Sequence, residues 1–364
     1  IEAEAFTGSP EVSQWTETPF ALKHMGDAAF CLGVNRMMLH KFPHQPWPGV
    51  KPGVVMGQWG THFSQNQTWW EPGKAWVAYL ARTQAVLQWG KIQPLQEGDF
   101  KGPAGIKAIR RAADGAEVFF VSNTTTNGVN GELTFAVEGR QPELWDPVTG
   151  TMRDLTDFRV DGESVRVPLD FAAGQSHFVV FRKPGAKADT ATRNFPQTHD
   201  AAQLAGLWQV AFDPKWGGPA EVKFDKLEDW TKRPEDAVKH FSGTAVYKKT
   251  FPVSAVPSPG SKAFLDLGSV SETAKVTLNG KDLGVVWCAP RRVDITEALK
   301  PGENELEIEV VNKWPNRLIG DAKLPADQRR TRTNITKYNS PKTGEPTLQP
   351  SGLLGPVRLL ISEK

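Results

Sequence analysis

The residues best suited to chemistry lie within the first 70 positions of the chain. Glu2 and Glu4 alternate in a short strand-like segment, and small residues after Glu4 leave room for a ligand. His40 ends a second strand-like run, and His62 lies in a loop rich in indoles and amides. A carboxylate at a strand end can act as acid, base or nucleophile, so Glu4 is the candidate catalytic residue. The alternative is a strand glutamate that is only solvated or ion-paired.

The segment from Gly57 to Trp70 has the composition of a ligand-binding loop. It combines three Trp with Phe, His, Gln and Asn and shows no helical or strand period. Flat amphipathic rings can cover the C–H faces of a sugar, while amides and imidazoles bind its hydroxyls. The candidate substrate-binding residues are His40, Trp59, His62, Asn66, Trp69 and Trp70. The alternative is an aromatic cluster that only packs the loop down.

A zinc site is not expected among the histidines. If residues 40–44 are extended, four steps between His40 and His44 span about 13 Å, which is too far for one ion to be shared. The sequence also lacks P-loop, dinucleotide-binding, nucleophile-elbow and HExxH patterns. Nucleotide, serine-hydrolase and zincin chemistry therefore have no support.

Composition points to a neutral partner. The 364 residues include 43 basic and 41 acidic side chains, which are interspersed, so neither nucleic acid nor a membrane surface is an expected partner. Cys31 and Cys288 provide no disulfide framework and are interpreted as packing residues. The sequence starts inside a predicted strand without Met, so we expect the front part of a longer polypeptide to be missing.

The elements that position these residues alternate between strand and helix over residues 1–100. Strands are predicted at residues 1–6 and, as a buried strand, at 34–40; helices are predicted at 19–32 and 74–90. This order predicts parallel βα units, whose strand-end loops carry the site. A (β/α)8 barrel needs about 250 residues, so residues 1–100 are interpreted as its C-terminal part, with the other strands upstream.

The rest of the chain has strand periodicity, which gives a multidomain α/β plus all-β fold. Residues 101–184 predict a small antiparallel β-sandwich, residues 185–200 a linker, and residues 201–364 a jelly-roll, galactose-binding-like β-sandwich. Asn279-Gly280 predicts a two-residue hairpin turn. Trp208 and Trp287 are predicted in the core, whereas Trp216, Trp230 and Trp314 are alternative sugar-stacking residues.

Several motifs resemble glycoside hydrolase family 106, the α-L-rhamnosidases. In the first part these are Ala3 to Thr7, Gly33 to Arg36 leading to His40, Gly60 to Phe63, Asn66 to Trp70, and Tyr79 to Arg82. Downstream, His240 to Tyr247, Val276 to Gly284, Asn316 to Asp321 and Ser351 to Val357 resemble a C-terminal sugar-binding jelly roll shared with glycoside hydrolase family 2.

The resemblance implies inverting hydrolysis of terminal α-L-rhamnosides in a rhamnose-containing oligosaccharide or polysaccharide. It implies Glu4 as one catalytic carboxylate, with a calcium-ligand role as its alternative, and calcium as cofactor with most ligands upstream. It also implies a periplasmic or secreted bacterial protein, of which this chain would be a C-terminal portion that is inactive alone. Two other hypotheses stay open: a non-catalytic carbohydrate-binding or scaffold module, and a family 2-like β-galactosidase or β-glucuronidase.

Overall fold

The chain folds into three units in sequence order: a short α/β unit and two antiparallel sandwiches. The computed structural model describes residues 1–10, 13–57, 59–185, 188–335 and 346–363. Within these ranges, no helix has both the length and the apolar character that crossing a membrane requires.

The first unit contains the predicted strand–helix alternation. Its elements are β1 (Glu2–Ala5), α1 (Pro19–Cys31), β2 (Arg36–Leu39), β3 (Pro52–Gly53) and α2 (Lys74–Gln88). Strands β1 and β2 are parallel, with Glu4 opposite Met38. Both predicted helices are confirmed, because α1 begins at Pro19 and α2 buries an apolar stripe that includes Trp76, Tyr79 and Leu87.

Strand β2 is more exposed than its apolar sequence predicts. Met38 and Leu39 are 52% and 40% exposed, so the prediction of a buried strand at residues 34–40 is wrong in its burial. The physical reason is that β1 and β2 form a two-stranded sheet whose one face packs on the helices. Met38, which is opposite Glu4, lies on the other face, and no layer among the described residues covers that face.

The second unit is the small antiparallel sandwich. Its strands are β4 (Lys91–Gln93), β5 (Phe100–Lys101), β6 (Ile106–Ala113), β7 (Ala116–Asn123), β8 (Val129–Phe135), β9 (Gln141–Trp145), β10 (Met152–Asp154), β11 (Arg159–Asp161), β12 (Ser164–Phe171) and β13 (Ser176–Lys183). One sheet has the order β10-β9-β13-β7-β6-β4 and the other β11-β12-β8-β5. Phe119, Phe135 and Phe181 pack between the sheets. Strand β4 therefore begins the sandwich ten residues upstream of the predicted boundary.

The segment predicted as a linker, residues 185–200, is packed where the structure describes it. The Asn194 amide donates to the carbonyl oxygens of Asp157 (2.6 Å) and Pro168 (3.1 Å). The Arg153 guanidinium lies 5.1 Å from the centre of the Phe195 ring. These contacts attach residues 194–195 to the surface of the second unit.

The third unit is the larger two-sheet sandwich. Its strands are β14 (Thr198–Gln203), β15 (Trp208–Phe212), β16 (Val222–Phe224), β17 (Thr244–Val253), β18 (Ala263–Asp266), β19 (Ser269–Ser271), β20 (Thr273–Leu278), β21 (Lys281–Val286), β22 (Arg292–Asp294), β23 (Gly302–Val311), β24 (Arg332–Thr333), β25 (Gly352–Gly355) and β26 (Arg358–Ser362). Its α-helices are α3 (Asp236–Lys239) and α4 (Pro315–Ala322), and short 3-10 helices lie at Pro214–Trp216, Trp230–Lys232 and Ala326–Gln328.

The main sheets of the third unit enclose one core. Their orders are β14-β26-β18-β22 and β16-β15-β17-β23-β20-β21. The predicted hairpin turn between β20 and β21 is confirmed, since Asn279 and Gly280 have φ of 52° and 79°. The predicted core positions of Trp208 and Trp287 are also confirmed, at 0% and 1% exposure.

A buried polar network fixes the first unit on the second. The Lys23 ammonium donates to Asp27 (2.6 Å) in the same helix and to Ser176 Oγ (2.8 Å) in β13. The Tyr79 hydroxyl of α2 donates to Asp27 and lies 3.0 Å from Ser176 Oγ. The Trp287 ring of the third unit packs on Tyr79 with ring centres 5.5 Å apart. All three units therefore meet at Tyr79, which makes the first unit a fixed platform for the site.

Candidate functional site

Glu4 lies on the open face of the parallel strands. Side chains alternate along a strand, so Ala5 packs into the core beside the helices while Glu2 and Glu4 are exposed on the opposite face. The exposed Glu2 carboxylate is 3.4 Å from Arg36 Nε of β2. A groove of about 330 Å³ beside Glu4 runs between β1 and α1 and has Met25 and Met37 among its mainly apolar lining residues. Glu4 is thus free of a charged partner among the described residues and accessible to a ligand.

His40 lies where the strand ends meet. Its N–H donates to the Ala5 carbonyl at 3.0 Å, which extends the parallel pairing past β2. Its Nδ1 atom is buried and has no hydrogen-bond partner among the described residues. Gly60 packs directly against this ring at φ of 79°, and a Cβ atom at that position would collide with Nδ1. Only glycine therefore allows the aromatic loop, residues 57–70, to approach His40 this closely.

Backbone hydrogen bonds bring the aromatic loop to both strand ends. Thr61 N–H donates to the Phe6 carbonyl at 3.0 Å, and Lys41 N–H donates to the Thr61 carbonyl at 2.7 Å. Phe63 N–H then donates to the Lys41 carbonyl at 2.8 Å. Residues 61–63 therefore lie against the two segments that follow Glu4 and His40 at the strand ends. The segments that carry Glu4, His40 and His62 lie next to one another.

His62 is buried rather than presented to solvent. It is 1% exposed, and neither ring nitrogen has a partner in the described parts of the chain. Its ring packs edge-on to Trp15, with ring centres 4.7 Å apart. Burial, followed by the nearby Lys41 and His40, lowers the pKa of His62 from 6.5 to about 3. His62 is therefore neutral at pH 7, and in this conformation it does not contact a ligand at the surface.

Glu17 belongs to the same cluster, although the sequence reasoning did not select it. Its side chain is 7% exposed, and Thr61 Oγ1 donates to its Oε2 at 2.5 Å. Burial raises the pKa of Glu17 from 4.5 to about 7, and the Thr61 hydrogen bond opposes that rise. The available signal was its position, because Glu17 lies in the loop that follows β1, two residues before the start of α1. Because its pKa is about 7, the buried Glu17 carboxyl is partly protonated at neutral pH.

The candidate sugar-stacking residues of the aromatic loop differ in exposure. Trp59 is 58% exposed and Trp70 is half-buried, so both present ring surface. Trp69 is buried, and its Nε1 donates to the Glu17 carbonyl at 3.0 Å. Asn66 is also buried, and its side-chain amide donates to the Val50 carbonyl at 3.3 Å. The loop is therefore anchored by Asn66 and Trp69 and offers Trp59 and Trp70 to a ligand.

The described residues contain no cluster of side chains that would hold a metal ion through His, Cys, Asp or Glu. Nowhere in the described ranges do three His, Cys, Asp or Glu side chains come close enough to hold a metal ion. Calcium takes six to eight oxygen ligands. The acidic side chains around Glu4 therefore do not supply a complete ligand set for this ion.

Two family models match this chain. Residues 1–94 and 97–159 match the model of glycoside hydrolase family 106, described as alpha-L-rhamnosidase. Residues 226–349 match the model of the galactose-binding domain-like part of glycosyl hydrolase family 2. The resemblance predicted from the sequence, a family 106 portion followed by a family 2-like sugar-binding domain, is thus confirmed.

One relative agrees with the family 106 match, and a second carries a different description. A rhamnosidase structure from Novosphingobium sp. PP1Y superposes on 100% of this chain with a TM-score of 0.90 and 27% identity, and the match covers 48% of that protein. A Formosa agariphila protein, whose description proposes a β-glucuronidase, is 43% identical over 290 residues, or 70% of this chain and 24% of that protein. The chain therefore spans less than half the length of either relative.

Proposed function

We propose that this chain is the C-terminal portion of an inverting α-L-rhamnosidase and that Glu4 is one of its two catalytic carboxylates. The observation that carries the proposal is the superposition of the whole chain on the Novosphingobium rhamnosidase at a TM-score of 0.90. The accessible position of Glu4 near the ends of parallel strands, one of which leads into His40, supports it.

The open face of β1 and β2 supports a barrel completed by other residues of the same polypeptide. Glu4 and Met38 lie opposite each other on that face, and both are exposed. Parallel strands normally occur in sheets covered on both faces. In the proposal, further βα units cover this face and supply the second carboxylate, so the 364 residues alone do not hydrolyse rhamnosides. Calcium, if used, would take its ligands from those units.

In the proposed reaction Glu4 works as the general acid or the general base. Inversion requires one carboxyl to protonate the leaving oxygen while a second carboxylate activates water, about 6.5–9.5 Å away. The exposed rings of Trp59 and Trp70 would cover apolar faces of the sugar, and His40 would hydrogen-bond a hydroxyl. The substrate class is a terminal α-L-rhamnoside of an oligosaccharide or polysaccharide. Export to the periplasm or the outside of the cell is part of the same proposal.

The test is Glu4→Gln in the full-length polypeptide, assayed with p-nitrophenyl α-L-rhamnopyranoside. The amide keeps the shape but neither donates nor accepts the proton, so kcat should fall at least about 1,000-fold while rhamnose binding by calorimetry persists. Glu2→Gln is the matched control, because it removes an exposed carboxylate two residues away on the same face. Turnover by Glu4→Gln within tenfold of the wild type would rule out the assignment.

A second candidate activity is β-glucuronidase, which the description of the Formosa agariphila relative favours. The same preparations assayed with p-nitrophenyl β-D-glucuronide separate the two. If the polypeptide hydrolyses the glucuronide and not the rhamnoside, the substrate class is a β-glucuronide and the proposed α-L-rhamnoside is rejected. NMR of the first sugar released from the rhamnoside would show the β-anomer if the reaction inverts.

A further inference from the structure

The third unit reaches over the first through residues 314–335, here called the docking segment. Strand β24 within it pairs in parallel with β3, and Arg332 N–H donates to the Lys51 carbonyl at 2.9 Å. Asn334 accepts from Val55 N–H at 2.9 Å and donates to the Val55 carbonyl at 2.8 Å. These bonds join the third unit to the chain just before the aromatic loop.

Trp314 joins the docking segment to the aromatic loop itself. Its Nε1 donates to the backbone carbonyl of Asn66 at 2.8 Å in a buried environment. The indole is 2% exposed and packs in a small hydrophobic cluster with Trp15, Val55 and Leu318. Trp15 is also the residue that packs on His62. One indole of the third unit therefore bonds to the backbone of the loop and belongs to the same cluster as the residue that packs on His62.

A cation–π contact adds a further attachment. The Arg332 guanidinium lies 3.9 Å from the centre of the Trp47 ring. Arg332 and Asn334 are exposed, whereas Trp314 is buried. The attachment thus has a buried centre at Trp314 and a solvent-exposed rim at Arg332 and Asn334.

The indoles of the third unit are unsuited to stacking on sugars. Trp208, Trp230, Trp287 and Trp314 are all 2% exposed or less. The interpretation of Trp230 and Trp314 as sugar-stacking residues is therefore wrong. Trp216 is partly covered, with its ring 5.3 Å from that of Trp314 and 5.7 Å from the Lys51 ammonium. The aromatic side chains of this unit serve its core and its contact with the first unit.

We propose that the third unit acts as a positioning element, in which Trp314 holds the aromatic loop against the strand ends while Arg332 and Asn334 hold the segment just before that loop. The loop contains residues that anchor it, Asn66 and Trp69, and residues that face solvent, Trp59 and Trp70. When the third unit fixes the part of the loop around Asn66 and Trp69, the exposed rings of Trp59 and Trp70 are ordered before a ligand binds. Less conformational entropy is then lost on binding. The effect on catalysis rests on the proposed function, whereas the effect on loop order does not.

The experiment is hydrogen exchange on Trp314→Phe in the full-length polypeptide. Phenylalanine keeps an aromatic ring but cannot donate to the Asn66 carbonyl, so amides of residues 59–70 should exchange about fivefold faster. The matched control is Trp230→Phe, which removes an indole donor to the Tyr247 hydroxyl inside the third unit, at 2.5 Å, away from the first unit. The control should lose stability without faster exchange in residues 59–70.

Asn334→Ala provides a second variant because its side chain is exposed and tolerates replacement. Losing both bonds to Val55 should accelerate exchange at residues 54–56 by a similar factor and raise KM for the rhamnoside several-fold with little change in kcat. Equal exchange in wild type and both interface variants, or equal acceleration by Trp230→Phe, would overturn the proposal. Faster exchange in a polypeptide that hydrolyses no rhamnoside would support positioning while rejecting the proposed function.

Discussion

Glu17 and His62 should give opposing contributions to the pH dependence of stability. Both are buried in the same loop cluster, and burial favours the neutral form of each. The pKa of Glu17 is raised to about 7, so its stabilising contribution is complete below pH 4.5 and is lost as pH rises towards 7. The pKa of His62 is lowered to about 3, so its contribution is complete above pH 6.5 and is lost as pH falls.

The two contributions to the pH dependence of the free energy of unfolding cancel between the ordinary pKa values of the two groups, 4.5 for Glu17 and 6.5 for His62. Between about pH 4.5 and 6.5 the folded state holds one more proton at Glu17 and one fewer at His62 than the unfolded state. Each difference changes the free energy of unfolding by about 1.4 kcal/mol per pH unit, with opposite signs. Over two pH units, each contribution amounts to about 3 kcal/mol, while their sum is near zero.

Substitution of either residue should reveal the pH dependence that the other residue contributes to the free energy of unfolding. In Glu17→Gln the free energy of unfolding should rise with pH across this window by about 3 kcal/mol more than in wild type. In His62→Gln it should fall by about the same amount, and the double variant should match the wild-type slope. The assay is urea unfolding followed by tryptophan fluorescence at pH 4.5, 5.5 and 6.5. Only slopes are compared, so the packing cost of each substitution cancels. Parallel pH profiles for wild type and Glu17→Gln would refute the reasoning.

Two further predictions concern the framework of the fold. Asp27→Asn leaves the buried Lys23 ammonium without its carboxylate and should cost about 3–5 kcal/mol of stability, whereas Lys23→Met with Asp27→Leu should recover much of it, as thermal unfolding would show. Equal stability of Asp27→Asn and wild type would contradict a charged pair at this junction. Gly280→Ala should cost about 1 kcal/mol in denaturant unfolding, because Gly280 has φ of 79° in open space and only backbone strain opposes the methyl group. An unchanged midpoint would show that the turn relaxes.

Features encoded by local sequence were predicted well. The apolar spacing of α2 and the Pro at the start of α1 define both helices within one or two residues. The Asn279-Gly280 turn follows from the need for positive φ at two consecutive positions. Trp208 could be placed in the core because it belongs to an alternating strand, and burial of alternate residues is what a sandwich requires.

Features that depend on tertiary contacts were not predicted. The composition of the aromatic loop does not show that Trp69 turns inward to bond Glu17 while Trp59 stays exposed. The polar sequence of residues 185–200 predicts a linker, yet Asn194 attaches it to carbonyls that are distant in sequence. Glu17 has no motif of its own, since its raised pKa comes from burial by segments that meet only in the folded chain.

Buried polar atoms without a hydrogen-bond partner occur beside the strand ends and also in both sandwiches. Among the described residues, those in the first unit are Trp15 Nε1, Glu17 Oε1, His40 Nδ1, Thr68 Oγ1, Trp76 Nε1 and both nitrogens of His62, and the others belong to Trp145, His177, Trp208, His240, Thr273 and Arg317. Each such group costs about 1–3 kcal/mol when left unsatisfied, so folding stability alone would not favour gathering them. Departures from local rules of this kind are expected at functional sites. The unpaired atoms of Glu17, His40 and His62 lie on the segments that also carry Glu4, so this part of the first unit combines buried polar groups with an exposed carboxylate.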